Sequence, residues 1–408
     1  MRERAGTESD AILGVVPGLV LEPGTAEEAA TALSRCARDR LTVGFVGGGT
    51  ELGLGHAPSE LDAVVHTGGL ARVIEYAPSD QVVMAEAGVT LAALQGVLAP
   101  QGQWLALDPP WPDRATLGGI VATNAFGPRR TRFGSARDLI LGVSFVRADG
   151  TAAKAGGKVV KNVAGFDVSR LMVGALGTLG LLSSVTFRVH PRPEAAATVL
   201  FPAADAAQVT ALVAAARAAQ LEPSSAAALA VSDRFDLGVR FEGFSSGVSG
   251  QVERLLAAGR TTGLAGGRLA DAEAASFWAR HDAAREILPL RLKVSAPASR
   301  FPEVARAVLP PLLGELSPGA AAWYPSLGLG YVGGRPAGGA QASAAVVAAR
   351  AAAAGMGGSV VVCEAPPELR AGVDVWGPPP PGFALMQRLK NRLDPDRRMN
   401  RGRFVGGL

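Results

Sequence analysis

Val46-Gly47-Gly48-Gly49-Thr50-Glu51-Leu52-Gly53-Leu54-Gly55 is the stretch on which the reading of this chain turns. An apolar strand, Leu41 to Val46, feeds directly into it. Glycine accepts positive φ and carries no Cβ, so consecutive backbone N–H groups can converge and approach an anion closely. Such successive N–H groups form a concave nest suited to a phosphate or diphosphate. A dinucleotide cofactor is the first expectation. A bare turn has the same composition, so the surrounding chain has to decide between them.

At 408 residues the chain exceeds the usual size of one domain, and a hydrophobic fraction of 48% is ample for two cores. The most apolar long segment, Ala344 to Val362, contains Arg350 and three glycines and predicts an alanine-rich helix followed by a strand, not a membrane span. Met1 to Asp10 is charged and lacks the apolar centre of a signal peptide, so a cytoplasmic protein is expected. Cys36 and Cys363 form no metal-ligand pattern, no metal site is expected, and the cysteine usage fits a reducing compartment. The net charge is only +4, and lysine appears at 154, 158, 161, 293 and 390 alone. Arginine-rich usage of this kind follows from a GC-rich genome, and no basic stripe interleaved with aromatics points to nucleic acid.

Outward from the glycine run, the chain reads as an α+β protein. A strand at Leu19–Glu22 precedes an amphipathic helix, Ala26–Arg38, with Thr25 as N-cap and Glu28 at the capping-box position. Strands are expected at Ala63–His66, Arg72–Tyr76 and Gln81–Ala87, then a helix at Leu91–Leu98. Asp108-Pro109-Pro110-Trp111-Pro112 can be neither helix nor central strand. The segments Thr116–Gly119 and Ala122–Gly127 show no clear periodicity, so a long functional loop is expected, closed by Gly134. A hairpin follows at Leu139–Arg147 and Thr151–Ala155, then a helix near Asp167–Val173 and a strand from Leu181 to His190. Pro191 and Pro193 mark a domain boundary. Beyond it come two β-α-β-β-α-like sets separated by an extra helix near Ala272–Ile287, which predicts a split βαβ, ferredoxin-like arrangement present as a duplicate. The predicted division is 1–193, 194–370, and a linker with C-terminal helix and tail over 371–408.

Gly47-x-Gly49-x-x-Leu52 departs from the dinucleotide fingerprint at its third glycine, although Glu75 lies at about the spacing of a ribose-binding acid. A Rossmann NAD site therefore stands as an alternative. It requires a regular helix straight after the loop, where Gly53 and Gly55 oppose one.

Further glycine-bearing segments accompany the nest: Gly118-Gly119-Ile120-Val121-Ala122-Thr123-Asn124, Phe133-Gly134-Ser135-Ala136-Arg137-Asp138, Lys161-Asn162-Val163-Ala164-Gly165-Phe166-Asp167 and Leu176-Gly177-Thr178-Leu179-Gly180; the tail adds a glycine-free segment from Leu389-Lys390 to Asp394-Pro395. Together they resemble the FAD-binding domain of the vanillyl-alcohol oxidase and p-cresol methylhydroxylase (PCMH) superfamily, and within it the E-type FAD-binding subunit of glycolate oxidase. The resemblance covers the first domain almost throughout and the last 40 or so residues. It implies a two-subdomain PCMH-type FAD-binding domain, a ferredoxin-like cap, and a C-terminal helix returning to the FAD domain. It implies noncovalent FAD, its diphosphate held by Gly47, Gly48, Gly49, Thr50, Glu51, Leu52 and Gly53. Asp108, Pro109, Thr116, Leu117, Gly118, Gly119, Ala122, Thr123, Asn124 and Gly127, with Gly134, would line the flavin and diphosphate. Gly177, Thr178, Gly180, Leu181 and Leu182 would reach the flavin or adenosine end. Relatives with covalent flavin carry His where Thr50-Glu51 stands here, so no covalent bond is expected. Leu176 departs from an acidic residue common in the superfamily, and Arg401 from a proline common in the tail.

Arg129, Arg130, Arg132 and Arg137 form a basic cluster after the presumptive cofactor loop. They suit the diphosphate or a small carboxylate, because arginine forks match such anions; a solvated loop is the plainer reading for Arg129 and Arg130. For Arg137 an ion pair with Asp138 is expected. Lys161 is expected to close a loop onto a backbone carbonyl. Oxidation of a 2-hydroxy acid needs a base, most often His. The four histidines include no close pair; His66 and His190 read as structural, and His281, beside Asp282, is the one candidate base. Catalytic D-lactate-dehydrogenase-like relatives carry His-rich motifs that this chain lacks. The expectation is a FAD-binding subunit that works with a larger FAD-linked subunit and an iron–sulfur subunit, the whole reaching the inner membrane only peripherally through its partners. A self-sufficient dehydrogenase and a flavin-free assembly subunit are the alternatives.

Overall fold

A computed structural model describes residues 1–158 and 166–408. The chain divides into two compact units: Met1–Phe126, Gly134–Pro191 and Pro378–Leu408 form the first, and Gly127–Phe133 with Arg192–Gly377 the second.

The first unit is built on two sheets. Strands β1 (Arg2–Ala5), β2 (Leu19–Glu22), β3 (Val43–Val46) and β4 (Ala63–His66) lie in the order β1-β2-β4-β3, with β2, β4 and β3 parallel. The crossover from β2 to β3 is the helix Ala26–Arg38, and the Thr25 side chain caps it by accepting from the Glu28 N–H. Its apolar stripe is Ala29, Ala32, Leu33 and Cys36. That stripe packs with Leu21, Val43 and Val65 of one sheet and Val146 and Leu181 of the other, so the helix is held between the two. The second sheet comprises β5 (Val73–Ala77), β6 (Val82–Glu86), β8 (Ile140–Val146), β9 (Ala152–Gly156) and β10 (Leu181–Arg188), in the antiparallel order β5-β6-β10-β8-β9. A small ladder joins β7 (Gln103–Trp104) to β11 (His190–Pro191).

The glycine run leaves β3 without entering a helix. It turns at Leu54, whose N–H bonds to the Glu51 carbonyl at 3.1 Å, and Gly55 takes φ +96°. Glu75 sits exposed on β5 in the other sheet, ion-paired with Lys158. Both facts oppose a Rossmann site. The region expected to be one long loop is partly helical: Leu117–Thr123 forms a helix capped by Thr116 and ended by Asn124 in the left-handed region. Leu117, Gly118, Ile120 and Val121 of that helix are all buried, so it shows no polar face in its sequence. Short helices also form at Arg130–Phe133 and Ala136–Leu139.

The second unit is one eight-stranded antiparallel sheet. Its strands are β12 (Ala195–Ala204), β13 (Ser225–Val231), β14 (Arg234–Gly243), β15 (Gly267–Arg268), β16 (Leu290–Ser295), β17 (Leu316–Tyr324), β18 (Leu329–Pro336) and β19 (Ser359–Glu364). The order is β15-β12-β14-β13-β17-β18-β16-β19. Each half, β12 to β15 and β16 to β19, has the spatial order fourth-first-third-second, the ferredoxin-like arrangement. The two halves join edge to edge through β13 and β17. The duplication anticipated from sequence is therefore present, with one strand more in each half than the sequence pattern indicated. β15 spans only 2 residues, and β17 carries Pro318-Gly319 and three alanines where β-branched residues would mark a strand. One face of the sheet packs Val199, Phe201, Leu237, Val239, Leu292 and Trp323 against helices that include Ala206–Ala218, Ser245–Thr261 and Gly339–Gly355. The helix Asp271–Arg285 lies on the opposite face: Trp278 Nε1 donates to Thr198 Oγ1 at 3.1 Å, and His281 meets Tyr324. No helix among the described residues is long and apolar enough to cross a membrane.

Candidate functional site

Two adjoining clefts in the first unit collect the glycine segments. One, about 460 Å³ including the space open to solvent, is lined by Phe45, Val46, Gly47, Thr67, Ala87, Gly118, Gly119, Ala122, Met172, Ala175, Gly177, Gly180, Leu181 and Leu182. The other, about 530 Å³ on the same measure, is lined by Phe45, Gly47 to Leu52, Thr116, Gly119, Ala122, Thr123, Leu176, Gly177, Asn400 and Arg403. Segments separated by tens to hundreds of residues thus share one groove.

Glycine permits this convergence by close approach. A Cβ on Gly48 would fall 1.7 Å from the Arg114 carbonyl oxygen, and one on Gly177 would fall 2.6 Å from Asn400 Nδ2 and 2.9 Å from Phe45 Cδ2. Backbone hydrogen bonds then stitch the segments together. Gly118 N–H donates to Ala87 O at 2.8 Å, Leu117 N–H to Val89 O at 2.8 Å, and Leu176 N–H to Ala122 O at 2.8 Å.

The nest itself is left with donors to spare. Among the described residues, no hydrogen bond is donated by the backbone N–H of Gly48, Gly49 or Thr50, each half-buried on the cleft wall. Backbone donors withdrawn from bulk water are ordinarily paired, so three successive ones without an acceptor suit an anion bound in the cleft. The second cleft is the more polar of the two, and the first is walled by Phe45, Val46, Met172, Leu181 and Leu182. A nest beside an apolar slot fits a cofactor with a diphosphate and a flat ring system.

Of the residues expected at the site, Gly47, Gly48, Gly49, Thr50, Glu51, Leu52, Thr116, Gly118, Gly119, Ala122, Thr123, Gly177, Gly180, Leu181 and Leu182 line the clefts. Gly53, Asp108 and Pro109 lie outside these linings. Leu117 is fully buried in the core beneath. Thr178 turns away: its Oγ1 donates to Ala175 O at 2.7 Å, and its carbonyl accepts from Lys390. Asn124 caps its helix, with its Oδ1 buried and lacking a partner among the described residues. Gly127 begins the segment that belongs to the second unit. Gly134 takes φ +78° in the turn before the Ser135–Asp138 capping box.

That capping box also corrects the expected Arg137–Asp138 ion pair. Asp138 Oδ2 accepts from the Ser135 N–H at 2.8 Å and the Ser135 hydroxyl at 3.1 Å, and no salt bridge joins it to Arg137. Within the second unit, Arg129 pairs with Glu242 at 3.1 Å and Arg132 with Glu222 at 3.3 Å. Lys161 lies outside the described residues; Asp167 caps the helix Val168–Met172.

His281 is 1% exposed. Its Nδ1 lies 3.0 Å from Asp282 Oδ1 and its Nε2 lies 2.9 Å from the Tyr324 hydroxyl. Burial pushes the imidazole down to about 4, against the pull of Asp282. Both ring nitrogens thus lie within hydrogen-bond distance of partners in a buried position, surroundings that suit a structural histidine.

The sequence places the tail against the first domain but does not reveal its contacts at the cleft. Lys390 Nζ donates to Thr178 O at 2.9 Å, Met399 O at 2.9 Å and Asp394 Oδ2 at 2.7 Å, and burial holds its ammonium below the usual lysine range. Arg403 Nη2 donates to the carbonyls of Leu52 at 2.6 Å and Leu54 at 2.9 Å. Asn400 N–H donates to Val43 O at 2.8 Å, and Asn400 Nδ2 donates to Leu176 O at 2.8 Å. The C-terminal turn therefore grips β3, the glycine loop and the Leu176–Gly180 segment at once. It closes through Arg403 N–H to Asn400 O at 3.1 Å, with Arg401 inside the turn.

With this geometry in hand, comparison with known proteins is informative. Residues 17–156 match the family described as FAD binding domain. Glycolate oxidase subunit GlcE of Escherichia coli (strain K12) is 42% identical over 136 residues, which are 33% of this chain and 38% of that protein. D-lactate dehydrogenase of Archaeoglobus fulgidus is 34% identical over 175 residues, 43% of this chain and 39% of that one. The chain thus spans less than half the length of these curated relatives. The crystal structure of p-cresol methylhydroxylase with substrate bound matches 95% of this chain and 88% of its own, with TM-score 0.75 at 14% identity, a likeness of fold.

Proposed function

We propose, from the premise that residues 17–156 are a FAD binding domain, that this chain is the FAD-binding subunit of a 2-hydroxy acid dehydrogenase assembly of the glycolate oxidase type. The observation that carries the reading is the set of acceptor-free N–H groups at Gly48, Gly49 and Thr50, on a groove that also gathers Thr116 to Thr123 and Gly177 to Leu182. Gly47 to Gly53 would bind the diphosphate through the backbone. Thr116, Gly118, Gly119, Ala122 and Thr123 would flank it, and Gly177, Gly180, Leu181 and Leu182 would meet the ring systems. Phe45, Val46, Met172, Leu181 and Leu182 exclude water from the slot. When bound, FAD supplies reversible acceptance of two electrons. The FAD would be held noncovalently, because Thr50 and Glu51 offer no histidine in the glycine loop for a covalent link.

The chain's part in the assembly is to hold FAD for electron transfer, while a larger FAD-linked subunit oxidises the 2-hydroxy acid and an iron–sulfur subunit takes electrons onward. The enclosure of His281 supports that division, as does the pairing of Arg129 and Arg132 with carboxylates. Location is cytoplasmic, peripheral at the inner membrane through those partners. The purified chain should absorb in the visible range of oxidised flavin. Reduction of the isolated chain's flavin by glycolate under anaerobic conditions, at catalytic rates, would overturn the division of labour.

The similarity to D-lactate dehydrogenase of Archaeoglobus fulgidus favours a second reading, a self-sufficient FAD-linked dehydrogenase. Under it, His281→Gln abolishes turnover without loss of flavin. A purified chain that is colourless and takes up no added FAD would leave the flavin-free assembly subunit as the reading.

A further inference from the structure

Among the described residues, the tail includes a buried polar oxygen that the fold itself does not use, on Asn400. Asn400 is 3% exposed and lines the cleft that the glycine loop also lines. Its Nδ2 is committed to the Leu176 carbonyl at 2.8 Å, and this fixes the orientation of the amide. Turned the other way, the amide would set oxygen against carbonyl oxygen. Its Oδ1 is consequently left buried and without a partner among the described residues, on a side chain that lines the cleft. The backbone holds it there: Asn400 takes φ +45°, with its N–H on Val43 O and its carbonyl accepting from Arg403 N–H.

From this we infer that Asn400 is a cofactor-binding residue, its Oδ1 accepting a hydrogen bond from a FAD hydroxyl next to the diphosphate. The inference rests on the reading that the clefts hold FAD. The chemistry narrows the partner. An ionised diphosphate presents only acceptors, so the amide oxygen would repel it; a hydroxyl of the ribityl chain or of the adenosine ribose presents a donor. Those hydroxyls sit on the two groups esterified to the diphosphate, one on either side. Asn400 and Gly47 to Leu52 line the same cleft, so a diphosphate on the glycine loop brings its neighbouring hydroxyls to Asn400. Arg403 acts alongside as a positioning residue, holding the Leu52 and Leu54 carbonyls and contributing positive charge to the same cleft.

A consequence separates this from a merely structural asparagine. Because Asn400 belongs to the turn that grips β3, the glycine loop and the Leu176 segment, docking of the tail and retention of FAD become one event. The test uses the full chain. Flavin content of the wild type is read first from its visible absorption, and a wild type that binds no FAD removes the underlying reading, not this step alone. With binding established, FAD is titrated into apo wild type and apo Asn400→Gly, a substitution that the positive φ tolerates. The expected result is a rise in Kd of about tenfold, the factor that 1.4 kcal/mol represents. An unchanged Kd in a folded variant overturns the inference. Should the variant fail to fold, hydrogen exchange on the wild type decides: peptide 394–408 gains protection when FAD is added, and equal exchange with and without FAD overturns it.

Discussion

Replacing His281 by Gln should change how stability depends on pH, not only how stable the protein is. The ring is buried against Trp278, whose ring centroid lies 5.5 Å away, and its pKa falls from 6.5 to about 4. Burial is the main cause; the charges of Arg285 and Arg240 act in the same direction, and the bond to Asp282 opposes them. Above pH 6.5 the imidazole is neutral in both folded and unfolded chains and contributes no pH dependence. Between pH 6.5 and about 4 the unfolded chain takes up a proton that the folded chain refuses, so stability falls as the solution is acidified. At about 1.36 kcal/mol per pH unit, that span removes roughly 3 kcal/mol by its lower end. Glutamine can answer the Tyr324 hydroxyl but does not titrate. At pH 7.5 the variant should be the less stable by about 1–3 kcal/mol, from an imperfect replacement of a buried hydrogen-bonded group. The gap should then narrow by roughly 2 kcal/mol on going to pH 5. Urea unfolding followed by tryptophan fluorescence measures it; carboxylate titrations away from position 281 cancel in the difference, while that of Asp282, held below the usual carboxylate range partly by His281, falls below this pH span. A gap that stays constant across that range would refute a neutral, enclosed His281.

Two further perturbations test the cradle and its brace. Gly48→Ala places a Cβ 1.7 Å from the Arg114 carbonyl oxygen, so loop and neighbour must part; FAD binding should be lost, with overpacking destabilising the unit by about 1–3 kcal/mol. Gly68→Ala, where a Cβ meets nothing within 4 Å, should stay within about 0.5 kcal/mol of wild type in the same thermal melts. If both melt alike, close approach is not why glycine stands at position 48. Lys390→Met leaves Asp394, 0% exposed, as a buried carboxylate without its cation, and should cost about 3–5 kcal/mol by urea titration. A loss below about 1 kcal/mol would mean the pair is not buried as described.

Much of the fold was legible because local signals and burial agreed. The strand Ala63–His66 and the helix Leu91–Leu98 fall where apolar runs and the Thr90 cap put them. Disagreement arose where tertiary structure replaced local preference. The helix Leu117–Thr123 contains two glycines and is surrounded by apolar neighbours, so neither propensity nor amphipathic period announced it. β17 forms because β13 and β18 flank it on both sides, and a strand so paired tolerates alanines that would not have nominated it.

The site was legible to the extent that glycine betrays close approach, and illegible where its parts meet through side chains. Gly47 to Leu52 could be read as a nest from composition alone, since consecutive N–H groups need no distant partner to form one. Asn400 and Arg403 carry no such mark. Their partners lie 224 residues away at Leu176 and 351 residues away at Leu52, and only the folded chain brings them together. Yet the tail's dependence on the rest is mutual. Lys390 and Asp394 are buried charges, and such a pair is tolerated only with its hydrogen bonds complete. Completing them requires the Thr178 and Met399 carbonyls for the ammonium, and the Arg398 and Met399 N–H groups for the carboxylate. The buried pair is therefore fully satisfied only with the Thr178 carbonyl in place, and the turn that carries Asn400 supplies the rest of its hydrogen bonds. A cofactor held by that turn reports on the completeness of the whole cradle, so an incompletely folded chain would release its flavin before it lost its sheets.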